Sequence, residues 1–105
     1  METPNLSYLN QLSGGDESFK DKLIAIIKKE FPEEKEVYIK NFKAKDFQAL
    51  VQNVHKIKHK ISILGLEKSY KIAEDYEENL KENNLSGNEA FNEILKTITD
   101  YLETL

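Results

Sequence analysis

The sequence predicts an all-α fold: an antiparallel up-down-up-down four-helix bundle with a short additional N-terminal helix. Three observations lead there. Apolar residues recur at three- and four-residue spacing over long stretches, which is the period of an amphipathic helix. Only two prolines and four glycines occur in 105 residues. The glycines fall between the periodic stretches, and the short joints they mark force neighbouring long helices antiparallel.

The elements follow in order. Asn5 to Leu12 is predicted as a short helix with Leu6, Leu9 and Leu12 on one side, broken by Ser13-Gly14-Gly15. Asp16 is placed to cap the second helix, whose inward residues are Phe19, Leu23, Ile27, Phe31, Tyr38 and Phe42. Pro32 lies inside that pattern and removes one backbone hydrogen bond, so a kink or a break into two helices is expected there. Ala44-Lys45 is the next joint, and Asp46 caps the third helix. Phe47, Leu50, Val54, Ile57, Ile61 and Leu64 then alternate three and four apart, as a bundle seam requires. Gly65 ends the helix as a left-handed cap. The fourth helix runs from about Glu67 to Asn83, with Tyr70, Ala73, Tyr76, Glu77 and Leu80 near its inner side. After Asn83 to Gly87 the last helix carries Phe91, Ile94, Leu95, Ile98, Tyr101, Leu102 and Leu105.

The length is that of a single domain spanning residues 1–105. Cysteine is absent, which excludes disulfides, thiolate metal sites and a cysteine nucleophile. No apolar run reaches the roughly 20 residues needed to span a bilayer, and Met1 to Leu12 lacks the layout of a signal peptide. A cytoplasmic, free-standing monomer is the expectation. The formal net charge of −4 gives no general attraction to nucleic acid or anionic lipid. Against that acidic body, His55-Lys56-Ile57-Lys58-His59-Lys60 reads as a short basic island suited to one anionic partner.

On a helical wheel His55 points roughly 130° away from the centre of the apolar arc, towards solvent. Lys58 and His59, three and four residues on, are its neighbours on the helix surface, Lys58 on the core-ward side of His55 and His59 on the far side. Val51 lies one turn back and Ser62 two turns forward. A neutral imidazole is a nucleophile, and the flanking cations Lys56, Lys58 and Lys60 disfavour the imidazolium. Lys58 is placed to pair with the oxygens of a phosphoryl group on His55. No Walker-type or dinucleotide-binding glycine motif is present, so no nucleotide or other cofactor is expected.

Val54-His55-Lys56-Ile57-Lys58 followed by Leu64-Gly65 resembles the signature of the histidine-containing phosphotransfer (HPt) family, roughly [AV]-H-x-[LI]-K-G-x-x-x-x-[LI]-G. Leu6-Ser7-Tyr8-Leu9, Gly14-Gly15-Asp16, Phe31-Pro32 and Asp46 are also similar to that family. The resemblance implies that His55 accepts the phosphoryl group and Lys58 steadies it. It implies receiver domains of a hybrid histidine kinase and of a response regulator as partners, which supply the Mg²⁺ and the aspartyl phosphate. Val51, His59 and Ser62 are then candidates for docking. One position departs from the pattern: His59 stands where the family usually has glycine.

His55 and His59 at i, i+4 resemble half a metal site, with Glu74 or Glu77 as possible further ligands. The lysines oppose a cation, and no metal is expected. The five tyrosines read as core and core edge. Glu33-Glu34 and Glu77-Glu78 read as solvated helix faces. A bundle that docks receivers without carrying phosphate is the functional alternative.

Overall fold

The computed structural model describes residues 2–105 and contains five helices. They are α1 (Ser7–Ser13), α2 (Glu17–Ala44), α3 (Phe47–Ile63), α4 (Glu67–Lys81) and α5 (Asn88–Glu103). Helix α3 packs on α4 and on α2, α5 packs on α4 and α2, and α1 packs on α2. One continuous core fills the space between them. Leu50, Val54, Ile57 and Ile61 of α3 meet Phe31 and Tyr38 of α2, Tyr76 and Leu80 of α4, and Phe91 and Ile98 of α5.

The helix ends follow the local chemistry of the sequence. The Asp16 carboxylate accepts from the Phe19 backbone N–H, and the Asp46 carboxylate accepts from that of Ala49. Each side chain satisfies a donor left unpaired in a first turn. Gly65 adopts φ +75° after α3, as expected of a left-handed cap. A Cβ there would also meet the Asn5 side chain at 2.5 Å, because the N-terminal segment crosses this joint. That segment supplies a cap which spacing alone does not reveal. The N-cap position of α4 is Leu66, which has no side-chain acceptor. Glu2 takes its place, accepting from the N–H groups of Lys68 and Ser69. Burial acts to raise the Glu2 acid, but these two donors and the Lys68 charge hold it below its ordinary value.

Three expectations need correction. Of the two outcomes expected at Pro32, the break does not occur, since α2 is continuous over 28 residues. Proline removes only one bond of the ladder, and Phe31 and Tyr38 on either side of it are packed in the core. Phe19 is 44% exposed although the pattern placed it inward. At about 1.5 Å per residue, α2 outruns the shorter α3, α4 and α5, so only α1 is available near its first turns. Leu12 and Leu105 are also exposed. A seven-residue helix has one buried side, which Leu9 occupies, and Leu105 lies beyond the end of α5.

At the centre of the bundle the Tyr38 and Tyr76 hydroxyls meet at 2.7 Å. Phe91 packs against both rings, with centroids 5.1 and 5.2 Å away. Burial pushes both phenols above the ordinary tyrosine value. A raised value in the folded state means that the associated stability is complete below the unfolded tyrosine value and is lost as pH rises. The urea midpoint is therefore expected to fall above about pH 10. The double variant Tyr38→Phe/Tyr76→Phe should show a shallower fall than the wild type across the same pH series.

Candidate functional site

The seam of α3 determines where its other residues point. Leu50, Val54, Ile57 and Ile61 are fully buried, which turns His55 to the opposite side, its side chain 55% exposed. His59 follows one turn later and is also exposed. The two rings stand edge to face, with centroids 5.1 Å apart at 89°. Val51 is half-buried at the end of the strip near Leu80 and Lys81 of α4. Ser62 is exposed at the other end, where it lines a hollow with Asn5, Tyr8 and Tyr70. All five candidate residues thus lie on the side of α3 that borders α4 and solvent.

Lys58 lies on the core-ward side of His55, as expected, but deeper than a surface neighbour would. It is 9% exposed, so it is a neighbour of His55 beneath the surface rather than on it. Its ammonium lies 5.4 Å from the centre of the Tyr70 ring and 3.0 Å from Glu77 Oε1. The basic island also disperses. Residues two apart on a helix are about 200° apart around its axis, so Lys58 leaves α3 towards α4 while Lys56 and Lys60, four apart, leave it towards α2. Lys60 reaches α2, with its Nζ 3.0 Å from Glu30 and 3.3 Å from Glu34. Lys56 faces the same acidic stretch of α2, around Glu30, Glu33 and Glu34. Lys58 and Lys60 are paired with carboxylates, and the three lysines do not form a positive spot around His55.

The sequence reads Glu77 in two ways, near the inner side of the fourth helix and as one of a solvated pair, and only the first holds. Glu77 does not belong to a solvated face, because it is 7% exposed beneath His55. Its Oε2 lies 3.4 Å from His55 Nδ1 and 3.9 Å from Lys81 Nζ. Its Oε1 has the Lys58 ammonium at 3.0 Å but no directed hydrogen bond. The signal was present in the spacing. Tyr70, Ala73, Glu77 and Leu80 continue a 3-4-3 inward stripe, and a charge on such a stripe requires a buried partner. Glu34 departs in the same way: it is half-buried and paired with Lys60.

Among the described residues no group of three or more His, Cys, Asp or Glu side chains converges as a metal site. No helix of the described residues is long and apolar enough to cross a membrane.

A model of the Hpt domain matches residues 22–105. The chain belongs to the Hpt domain family. No curated protein and no solved structure matches it. Hpt domains carry out histidine phosphotransfer in two-component signalling and engage receiver domains. The matched stretch holds α3, α4 and α5 whole and most of α2, while α1 precedes it.

The burial of Lys58 changes what its removal should do to this Hpt domain. Lys58→Ala leaves the Glu77 carboxylate with His55 and the distant Lys81 as its remaining partners. A loss of about 1–3 kcal/mol is expected, larger than an exposed lysine would give. Urea unfolding of Lys58→Ala beside the exposed-site control Lys56→Ala measures the difference. Equal midpoints would show that the Lys58–Glu77 contact contributes no stability.

Proposed function

We propose that this Hpt domain accepts a phosphoryl group on His55 from the phospho-aspartate of a receiver domain and passes it to a second receiver. The donor and acceptor are a hybrid histidine kinase and a response regulator. The observation that carries the proposal is the exposed His55 ring sharing the buried Glu77 carboxylate with the Lys58 ammonium, Oε2 lying 3.4 Å from His55 Nδ1 and Oε1 3.0 Å from Lys58 Nζ. The imidazole can be approached by a partner's aspartyl phosphate, and Lys58 is close enough to interact with the oxygens once they arrive. A charge-assisted contact of that kind is worth roughly 1.5–3 kcal/mol.

Val51, His59 and Ser62 frame His55 along the exposed strip, and we assign the docking of receivers to this surface. In this reading the helices alternate in direction as an antiparallel bundle, and residues 1–105 act as a single monomeric domain. The chemistry needs only the neutral imidazole on this side. The Mg²⁺ and the acidic pocket belong to the receiver.

Replacing His55 with Gln should abolish phosphate uptake from a phosphorylated receiver and leave the urea midpoint close to that of the wild type, because the side chain is exposed. The readout is acid-labile, base-stable label on the protein. Label retained by His55→Gln at the wild-type level would remove His55 as the acceptor. Absence of label on the wild type, with a receiver complex still formed, would leave a docking module without phosphate carriage.

His59 yields a separate expectation. Its ring stands against the His55 ring and adds bulk where receivers approach. His59→Gly should cost about 1 kcal/mol of helix stability and raise transfer rates with receivers that serve the wild type poorly. A panel of receivers, with wild type and variant rates measured side by side, tests this. Identical rates throughout would make His59 a bystander.

A further inference from the structure

Glu77 places a negative charge where an incoming phosphoryl group would be expected to meet only positive ones. It is buried on α4, and its two oxygens divide between the two site residues of α3. Oε2 faces His55 Nδ1 at 3.4 Å, and Oε1 faces Lys58 Nζ at 3.0 Å. The Lys58 contact is held by charge without a directed hydrogen bond. Lys81 touches the rim of the cluster at 3.9 Å, and the His59 ring closes the outer side. The buried ammonium nearest His55 is therefore already neutralised in the resting protein.

We infer that Glu77 is a positioning residue that keeps phospho-His55 ready for onward transfer, by holding the Nδ1 proton and by competing with the phosphoryl group for Lys58. This deepens the proposed role of His55 and rests on it. In loading, the Nε2 lone pair attacks phosphorus. The P–N bond forms as the P–O bond of the aspartyl phosphate breaks, and the receiver carboxylate leaves with that electron pair. The ring retains its Nδ1 proton, so no proton enters or departs. In onward transfer the P–N bond breaks and its electron pair returns to Nε2. The ring then leaves as neutral imidazole if Nδ1 is protonated, and as imidazolate, a far poorer leaving group, if it is not. A carboxylate accepting from Nδ1–H favours the protonated ring. In the resting protein the 3.4 Å contact is one of proximity and not yet a directed hydrogen bond; such bonds often tighten only when the reacting complex forms.

Charge acts in the same direction. A neutral ring, one ammonium and one carboxylate sum to zero. A phosphoryl group on a ring that keeps its proton adds one net negative charge. With Glu77 present that charge is uncompensated, and with a neutral amide in its place Lys58 balances it. Glu77 therefore raises the free energy of the phosphorylated form and favours passing the group on.

The test uses wild type, Glu77→Gln, Glu77→Ala and His55→Gln, with helicity checked by circular dichroism. Each is phosphorylated with potassium phosphoramidate, and phosphate loss is followed by ³¹P NMR. Glu77→Gln should lose phosphate about tenfold more slowly than wild type, and Glu77→Ala should also be slower. At equilibrium with one receiver, phosphate should shift towards the Glu77→Gln protein. A merely structural residue gives the opposite sign, because a loosened site exposes the phosphoramidate to water. Phosphate loss that is unchanged or faster in the folded Glu77 variants, with His55→Gln unlabelled, overturns the role of Glu77 alone. Label on His55→Gln equal to wild type overturns the acceptor assignment instead. Independently of any variant, ¹⁵N spectra of the phosphorylated wild type should show a protonated Nδ1 on His55 at neutral pH. An unprotonated nitrogen there overturns the inference.

Discussion

The Lys58–Glu77 contact joins the two helices on which the site depends. Removing an ammonium and a carboxylate from water is costly, and the cost is offset only if each finds the other in a fixed geometry. Helix α3 must therefore present Lys58 to α4 at the level of Glu77 and no other. That fixes the rotation of α3 about its own axis, already constrained by Leu50, Val54, Ile57 and Ile61 in the core. With both constraints met, His55 has one direction left, outward and above Glu77. The same packing that stabilises the α3–α4 pair thus displays the imidazole on a rigid surface.

That arrangement explains how so small a domain can take part in phosphoryl transfer without a cleft. In the proposed function the exposed His55 ring is the reactive group, and it faces solvent. What the protein adds is beneath the ring: an ammonium to meet the phosphoryl oxygens and a carboxylate facing the far ring nitrogen. Both are buried, Lys58 against the Tyr70 ring, where charge interactions are stronger than in bulk water. The His59 ring adds a lateral wall beside the His55 ring. It stiffens the helix relative to glycine, and it narrows the space in which a partner can approach His55.

Much of this was legible in the sequence, for definite reasons. Asp16 and Asp46 announced the starts of α2 and α3 because short acceptors cap helices by local geometry. Gly65 announced an end because it tolerates positive φ. His55 was legible because it lies opposite an unbroken apolar arc. Other features were not legible because they depend on contacts distant along the chain. Glu2 caps α4 from 66 positions away, and no local pattern predicts that pairing. The burial of Lys58 depends on Glu77, and the fate of Lys60 on Glu30 and Glu34. A run of lysines looks like one patch in a sequence, but on a helix it points to different neighbours. Phe19 and Leu12 show the complementary limit: periodicity says which face is apolar, but the lengths of the other helices decide how far along it the cover extends.

The account stands or falls on where the phosphoryl group resides. Tandem mass spectrometry under neutral, cold conditions, applied to the wild-type chain after exposure to a phosphorylated receiver, locates it directly. The account predicts a single phosphoramidate on the ring of His55, with His59 unmodified in the same peptide. Phosphate on His59, or on any residue away from α3, would contradict it.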